Sequence, residues 1–342
     1  MRIVIDAMGG DNAPQAPVQG AIEAVKKYRC EITLVGDSAK IEPLLEGADR
    51  SKITVVHTSE VISNEEKATS AIRGKKDSSM SVALKLVADG DGDAIVSAGS
   101  TGALLTGATF IVKRIKGVQR GALGAVIPTK GKNGVMLLDS GANAECSPEY
   151  LLQFAFLGSL YMNRVEGIEK PRVALLNNGT EEGKGDPLRK EAFELLKAAS
   201  DEGRINFVGN MEGRDILSGE AEVLVCDGFS GNIALKGVEG TAMFIMKELK
   251  NILYKNIFTK IAALLVKPGL YALKDKMDYN KVGGAPFLGI SKPVIKAHGS
   301  SNAESYCSAI KQAISFAGCG YIDAVKENLE YMTVKKAEKT EE

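Results

Sequence analysis

Two acids, Asp6 and Asp11, bracket a pair of glycines, Gly9 and Gly10, directly after the aliphatic run at residues 3–5. A turn of that kind brings backbone N–H groups close to a ligand and suits an anion. Neither the dinucleotide fingerprint G-x-G-x-x-G nor a P-loop is present. A second candidate lies in LLNNGTEEGKG (175–185), where Lys184 stands between Gly183 and Gly185. The spacing falls short of a P-loop, and Gly185 replaces the hydroxyl residue that would hold Mg²⁺. What remains is a lysine presented to a phosphate by flanking glycines, or else a solvated loop cation. A third candidate is SAGSTGALLTG (97–107), where Gly99, Ser100, Thr101 and Gly102 lead into a helix. Amides and hydroxyls there suit an anion; equally, Ser100 or Thr101 is an N-cap.

Other chemistries fit poorly. The histidines, His57 and His298, are far apart and no H-E-x-x-H occurs, so no metal site is expected. DGDGDAIVSAG (89–99) begins like a calcium loop, but Ala94 and Ser100 stand where Gly and Glu are required. GFSGN (228–232) misses the spacing of a nucleophile elbow. Cys146 is either an acyl-carrying nucleophile or a structural thiol, and no histidine lies near it in sequence. The five cysteines are scattered, without C-x-x-C, which points to reduced thiols in a cytoplasm. Lys plus Arg equals Asp plus Glu at 43 each, which gives no global field toward nucleic acid. No signal peptide and no apolar run of membrane-spanning length is visible.

These residues need elements to hold them. Strand-like runs occupy 3–6, 32–36, 53–57, 94–99, 123–128, 134–139, 172–177, 205–209, 222–227 and 293–298. Helix-like stretches at 16–28, 79–88, 102–115, 148–163, 187–199 and 302–329 lie between most of them. Such alternation predicts an α/β/α sandwich with a mostly parallel sheet, whose doubly covered strands are continuously apolar. We expect one catalytic domain over 1–330, a helical protrusion within it at 240–280, and a polar tail at 331–342. Strand after strand ends on small polar residues: Asp6, Ser97-Ala-Gly99, Asp139-Ser-Gly-Ala-Asn143, Asn177-Asn-Gly179, Asp227-Gly228 and His298-Gly299. Ligands of open α/β sheets bind outside the carboxyl ends of the strands. Any one end is explained by turns and caps, but glycine on both sides of the polar residue is not needed for capping.

In order along the chain, DAMGGD (6–11), SAGSTGA (97–103), DSGAN (139–143), LLNNGTEEGKG (175–185), CDGFSGN (226–232), GGAPFLG (283–289) and HGSS (298–301) resemble the bacterial phosphate acyltransferases, acyl-ACP:phosphate transacylases. The resemblance spans residue 1 to about 325. The family usually has Asn where this chain has Ser100. The resemblance implies an enzyme that moves a fatty acyl group from acyl carrier protein to inorganic phosphate, giving acyl-phosphate for phospholipid synthesis. It further implies a fold related to isocitrate dehydrogenases and phosphotransacetylases, a homodimer, no nicotinamide or metal, and peripheral association with the cytoplasmic membrane face. There, a membrane glycerol-3-phosphate acyltransferase would use the product.

Phosphate is then its own nucleophile, and catalysis comes from holding it against a thioester carbonyl while N–H groups stabilise the oxyanion. Lys184, His298 and Asp227 are the catalytic candidates, with His298 donating to the thioester oxygen or protonating the leaving thiolate, or else a hydrogen-bonded structural histidine. Asp6, Gly9, Gly10, Asp11, Gly99, Ser100, Thr101, Gly102, Asp139, Asn143, Asn177, Gly179, Asn232 and Ser300 are the phosphate- and acyl-binding candidates. Asp6 and Asp11 are expected to brace the glycine turn or to pair with Lys184 or another cation. Over 241–265 apolar residues recur with a helical period, Pro268-Gly269 is expected to break the pattern, and residues 240–276 carry seven lysines against two acids. A basic amphipathic segment reads as membrane-surface or partner-binding, with Leu264, Leu265, Lys255 and Lys260 at the membrane, or as a dimer helix with solvated lysines. The rival functions are a nicotinamide-dependent oxidoreductase on the same sheet and a non-catalytic carrier-protein adaptor.

Overall fold

The structure is a computed structural model that describes residues 1–277 and 283–333. Its strands are β1 (Arg2–Asp6), β2 (Glu31–Gly36), β3 (Ile53–His57), β4 (Ala94–Ser97), β5 (Ala122–Leu123), β6 (Ala125–Ile127), β7 (Val135–Leu138), β8 (Arg172–Asn177), β9 (Asn206–Glu212), β10 (Val223–Val225), β11 (Ala285–Leu288) and β12 (Val294–Lys296). Helices follow as α1 (Gln15–Lys27), α2 (Ser38–Ile41), α3 (Ala68–Gly74), α4 (Ser79–Asp89), α5 (Thr101–Gly107), α6 (Pro148–Arg164), α7 (Pro187–Asp201), α8 (Gly228–Leu253), α9 (Ile257–Met277), α10 (Ala303–Gly318) and α11 (Tyr321–Glu327).

The strands divide between two sheets, where the alternation alone suggested one. The first has the order β3-β2-β1-β4-β12-β11-β5 and the second β6-β7-β10-β8-β9. Pairing is parallel except at β11, which runs against β12 and β5, and at β6, which runs against β7. The expected strand 123–128 is in fact the crossing point. Leu123 pairs with Phe287 in the first sheet, and Ala125 pairs with Leu137 in the second. Gly124 lies between them, and its N–H is held by the Pro286 carbonyl at 2.9 Å. One run of apolar letters thus feeds two sheets, which its period of two could not reveal.

Both sheets share a core. A single buried cluster runs from Ile3 and Ile32 through Phe154 and Tyr161 to Val173 and Val225. The joint is aromatic: Tyr161 of α6 meets Phe316 of α10 edge-on at 5.2 Å, and Tyr321 of α11 meets Phe316 at 5.1 Å. Gln312 donates to the Tyr161 hydroxyl at 3.0 Å, which satisfies a polar tip within that core. The strand ends of the two sheets therefore keep a fixed relation.

Three local readings change. The stretch 302–329 is two helices, because Gly320 adopts a left-handed conformation (φ 71°) between α10 and α11. Pro268 does not end a helix: α9 continues through it to Met277, and the break falls earlier, between Leu253 and Ile257. Met332, counted with the polar tail, is buried against the core, while 334–342 lie outside the described residues, as do 278–280 of the expected protrusion.

Candidate active site

Asp6 ends β1 buried under the first loop. Its carboxylate accepts from the Ser79 hydroxyl at 2.6 Å and the Ser97 hydroxyl at 2.7 Å. Burial pushes its pKa up, and these hydrogen bonds only partly oppose that. Asp6 is 1% exposed and bonded to the Met8 N–H of the turn as well as to the two hydroxyls, so its carboxylate is occupied within the loop. Gly10 adopts φ 96°, and a Cβ there would meet the Ala98 side chain at 2.8 Å. The first loop thus lies directly on 97–99, the loop that contains Gly99. The Asp11 N–H donates to the Gly299 carbonyl at 2.8 Å, and the Tyr306 hydroxyl to the Gly9 carbonyl at 2.9 Å. Asn12 reaches the carbonyls of Ser300 and Ser301 at 3.1 and 3.2 Å. Three loops predicted from separate motifs, 6–11, 97–102 and 298–301, form one unit. Within it the Ser100 hydroxyl takes the capping role, accepting from the Ala103 N–H at 3.4 Å, while neighbouring Gly102 packs beside Ala68.

The second sheet supplies the opposite wall. Asp139 accepts from the N–H groups of Leu123, Gly141, Ala142 and Asn143 and from the Asn143 amide, at 2.6–3.1 Å. A carboxylate so saturated shapes the 139–143 loop and has no capacity left for a ligand. Burial pushes its pKa up against those bonds. Asn143 is likewise committed, to Asp139 and to the Gly121 carbonyl at 2.8 Å. α8 starts on this loop: the Gly228 N–H donates to the Asn143 carbonyl at 2.7 Å. A Cβ at Gly231 would lie 1.9 Å from the Asp139 carbonyl oxygen, so only glycine permits the approach. Asp227 caps α8 at the Ser230 N–H (2.8 Å) and pairs with Arg189. Burial pushes its carboxyl up, but the Ser230 hydrogen bonds and the Arg189 guanidinium win and hold it below the usual range. Engaged in this way, the expected catalytic Asp227 holds the start of α8 to Arg189.

Between these walls lies a crevice of about 340 Å³. Leu123, Ala125, Val126, Leu235 and Ala285 make one part of its lining apolar; Thr101, Asn232, Lys236, Lys296 and His298 make another part polar. Of the expected residues, Thr101, Asn232 and His298 line it. Lys184 does not. It lies on the 178–185 loop with its side chain 51% exposed, 3.9 Å from Glu181. Asn177 arranges that loop, donating to the Lys184 carbonyl at 3.2 Å, and Gly179 packs against the Lys184 side chain. Arg189 ties the loop's helix to α8 through Asp227 and Ser230.

Lys296 escaped the motif reading. It ends β12 opposite Ser97, and its ammonium donates to the carbonyls of Ala98 (3.3 Å) and Ala297. Desolvation lowers its pKa to about 8, opposed by Asp11 and Asp6. The signal available in sequence was its spacing: residues 296 and 298 at i and i+2 share a face of an extended chain, and both line the crevice. His298 is also lowered, by burial and by Lys236 and Lys296. Its Nδ1 accepts from the Ser300 N–H at 3.3 Å, which puts the neutral ring's proton on Nε2. A neutral Nε2–H donates well to a carbonyl oxygen, but an imidazole held neutral does not supply the proton of a cationic acid. The Cys146 thiol is pushed up to about 12 by burial, which leaves no thiolate nucleophile there.

Residues 1–323 match the family model described as fatty acid synthesis protein. A phosphate acyltransferase of Oceanobacillus iheyensis is 51% identical over 313 residues, 92% of each chain. A phosphate acyltransferase of Clostridioides difficile is 47% identical over 318 residues, again 92% of each. Among solved structures, a phosphotransacetylase from Streptococcus pyogenes aligns with a TM-score of 0.64 at 18% identity, over 93% of this chain and 94% of that one. A branched-chain phosphotransacylase from Enterococcus faecalis aligns with a TM-score of 0.59 at 14% identity, over 93% and 99%. These two likenesses establish the shared fold. The curated relatives and the family model establish more: the chain belongs to the phosphate acyltransferases of fatty acid and lipid synthesis, and is an enzyme that transfers an acyl group to phosphate.

Proposed function

We propose that the acyl donor is a thioester on acyl carrier protein, and that phosphate attacks it in the crevice between the two sheets. The observation that carries this reading is the composition of that crevice. Leu123, Val126 and Leu235 offer an apolar flank to an acyl chain, while Lys296, His298 and Thr101 gather on the polar side. Phosphate is placed against the loops at Gly9–Gly10 and Gly99–Gly102, where amides and Thr101 serve an anion. His298 donates from Nε2 to the thioester oxygen as charge builds on it; removing one such donor typically costs about 3 kcal/mol of transition-state stabilisation. Lys184, half exposed on a loop, serves a phosphate of the incoming donor or substrate from outside the crevice. The test is phosphate-dependent release of free acyl carrier protein from purified acyl-ACP. Release at the same rate without phosphate, or no release at all, overturns the reading.

Self-association and membrane docking rest on the hairpin of α8 and α9. Phe258, Leu264 and Leu265 are 79%, 68% and 81% exposed there, beside Lys255 and Lys260. A hollow of about 540 Å³ between the helices is lined by Met246, Leu249, Leu253, Tyr254, Leu270 and Tyr271 among others, away from any strand end. No helix among the described residues is long and apolar enough to cross a membrane. Part of this surface pairs with a second copy and its tip docks on anionic lipid at the inner face of the cell membrane, next to the membrane acyltransferase that consumes acyl-phosphate. Each lysine near such a surface contributes roughly 1 kcal/mol. Vesicle flotation separates the roles: Leu264→Glu with Leu265→Glu abolishes insertion, and Lys255→Glu with Lys260→Glu abolishes salt-sensitive attraction. Loss of dimer in place of lipid binding assigns the segment to the interface alone.

A further inference from the structure

Lys296 has an environment that neither phosphate binding nor structure accounts for fully. Its Nζ sits at the carboxyl end of the first sheet, where β12 runs beside β4 and Lys296 pairs in register with Ser97. Two of its three N–H bonds go to main-chain carbonyls, those of Ala98 and Ala297. Among the described residues the third meets no protein acceptor, and the side chain lines the crevice beside His298. The other cation on this wall differs. Lys236 of α8 is paired with Glu239 at 2.7 Å and its side chain is 56% exposed. Lys296 is thus a partly desolvated ammonium held by carbonyls and left without a neutralising contact at the place where a thioester would react.

We infer that Lys296 is the catalytic acid of this site, delivering a proton to the sulfur as the carbon–sulfur bond of the acyl donor breaks. This rests on the crevice being the acyl-transfer site. A phosphate oxygen forms the new bond to the carbonyl carbon, and the electron pair of the C–S bond passes to sulfur. Sulfur takes a proton from the Lys296 ammonium, leaving free thiol, acyl-phosphate and a neutral amine. The amine regains its proton from water, while the acyl-phosphate releases its own. The order of acidity supports the assignment: desolvation brings Lys296 to about 8, more acidic than a cysteine thiol at about 8.5 and than the alkyl thiol of the donor above it. An acid much weaker than the thiol would hold its proton, and an imidazole kept neutral has no cationic proton to give.

Groups facing Lys296 come from every neighbouring element. Asp6 on β1 and Asp11 in the first loop raise its pKa. His298 follows it in the chain, Lys236 and Glu239 face the same crevice from α8, and the Tyr306 hydroxyl of α10 lies over Gly9. None of them is altered in the variants used for the test.

The test compares two donors with the same acyl chain, one an alkyl thioester of pantetheine and one a thiophenol ester whose thiolate leaves without help. With the alkyl donor, Lys296→Met lowers kcat by about 10²–10³, within the range of a lost general acid, and with the aryl donor by less than about tenfold. Lys296→Arg keeps the charge but has no proton to yield near neutral pH, so it stays impaired with the alkyl donor alone. In the parent, kcat with the alkyl donor falls as pH rises through about 8, because the ammonium is lost. In Lys296→Met that limb disappears. Equal losses with both donors, or full recovery in Lys296→Arg, overturns the inference and makes Lys296 a charge for phosphate. If Lys296→Met melts early, Lys296→Gln is read in the same way. A parent that releases no thiol from either donor overturns the acyl-transfer reading of the crevice itself, a result distinct from any outcome among the variants.

Discussion

Two lysines stand at the carboxyl ends of the two sheets, and their surroundings differ in kind. Lys184 follows β8 on a glycine-flanked loop, half exposed and opposite Glu181. Lys296 ends β12, partly desolvated, held by the carbonyls of Ala98 and Ala297 within the crevice. The first advertises itself in the sequence; the second hides in an apolar strand. Flanking glycines give a lysine freedom to reach a ligand, but freedom is also exposure, and water screens an exposed charge. A strand end offers less reach and a stronger field, because the surrounding dielectric is lower. Chemistry that depends on a shifted acidity belongs with the second environment, and recruitment of a charged substrate with the first.

The largest expected effect breaks or keeps that distinction directly. Lys184→Ala raises KM for phosphate or for the acyl donor by about three- to tenfold and leaves kcat within about threefold, the size of a lost exposed ion pair. Lys296→Met does the reverse, acting on kcat. Steady-state kinetics on both variants, with alkyl thioester and varied phosphate, reads both parameters. If Lys184→Ala lowers kcat a hundredfold with KM unchanged, its loop closes over the reacting atoms and the contrast between the two regions is wrong.

A smaller effect tests how the second sheet's loops are held. The Arg189 and Asp227 side chains are 14% and 8% exposed, and Arg189 also bonds Ser230 and Asp186. Arg189→Met leaves Asp227 buried without its cation, which costs about 3 kcal/mol of stability. Asp227 is held below the usual carboxylate range in the folded chain. A group lowered in this way contributes stability that is present above its unfolded value, about 4, and is lost as pH falls through the folded value. The deficit of Arg189→Met is therefore full at pH 7 and narrows in acid. Urea unfolding at both pH values measures it. A deficit that stays constant with pH would assign Arg189 to packing alone.

What the sequence showed and what it hid follow from the range of the interactions. Runs such as 3–6 and 172–177 are legible because both faces of those strands are covered, so Ile3 to Ile5 and Val173 to Leu176 are apolar without interruption. β11 was missed because Gly283, Gly284 and Pro286 read as breakers, although the strand is paired on both sides. α9 runs through Pro268 against the local rule. The motif loops at 6–11, 97–102 and 298–301 were recognisable one by one, but their meeting depends on contacts across nearly 300 residues, such as Asn12 to Ser300. Asp139 reads as a binding residue and Asp227 as a catalytic one because acids at strand ends often serve a site. Only their partners, loop amides for one and Arg189 for the other, show that their capacity is already used. Lys296 went unnoticed because its one local signal, the i, i+2 spacing to His298, is shared by any pair two apart in an extended chain and forms no motif.

The finest test asks whether the field at Lys296 comes from the groups around it. Desolvation lowers its pKa; Asp11 opposes that most, then Asp6. Replacing either acid by Asn removes a negative neighbour while keeping the side chain's shape. The ammonium is then less favoured, so its pKa falls further and the descending limb of kcat moves to lower pH. A shift of less than about one pH unit is expected in each case, since neither carboxylate makes an ion pair with the Lys296 ammonium and the interaction weakens with separation. Asp11→Asn gives the larger shift. Salt separates the two acids: Asp11 is exposed and its influence is screened, while buried Asp6 is shielded from ions. Raising ionic strength should erase most of the difference between parent and Asp11→Asn and little of that between parent and Asp6→Asn. If both limbs stay in place, or either moves to higher pH, the titrating group is not Lys296, and the crevice does not hold the acid that its geometry assigns.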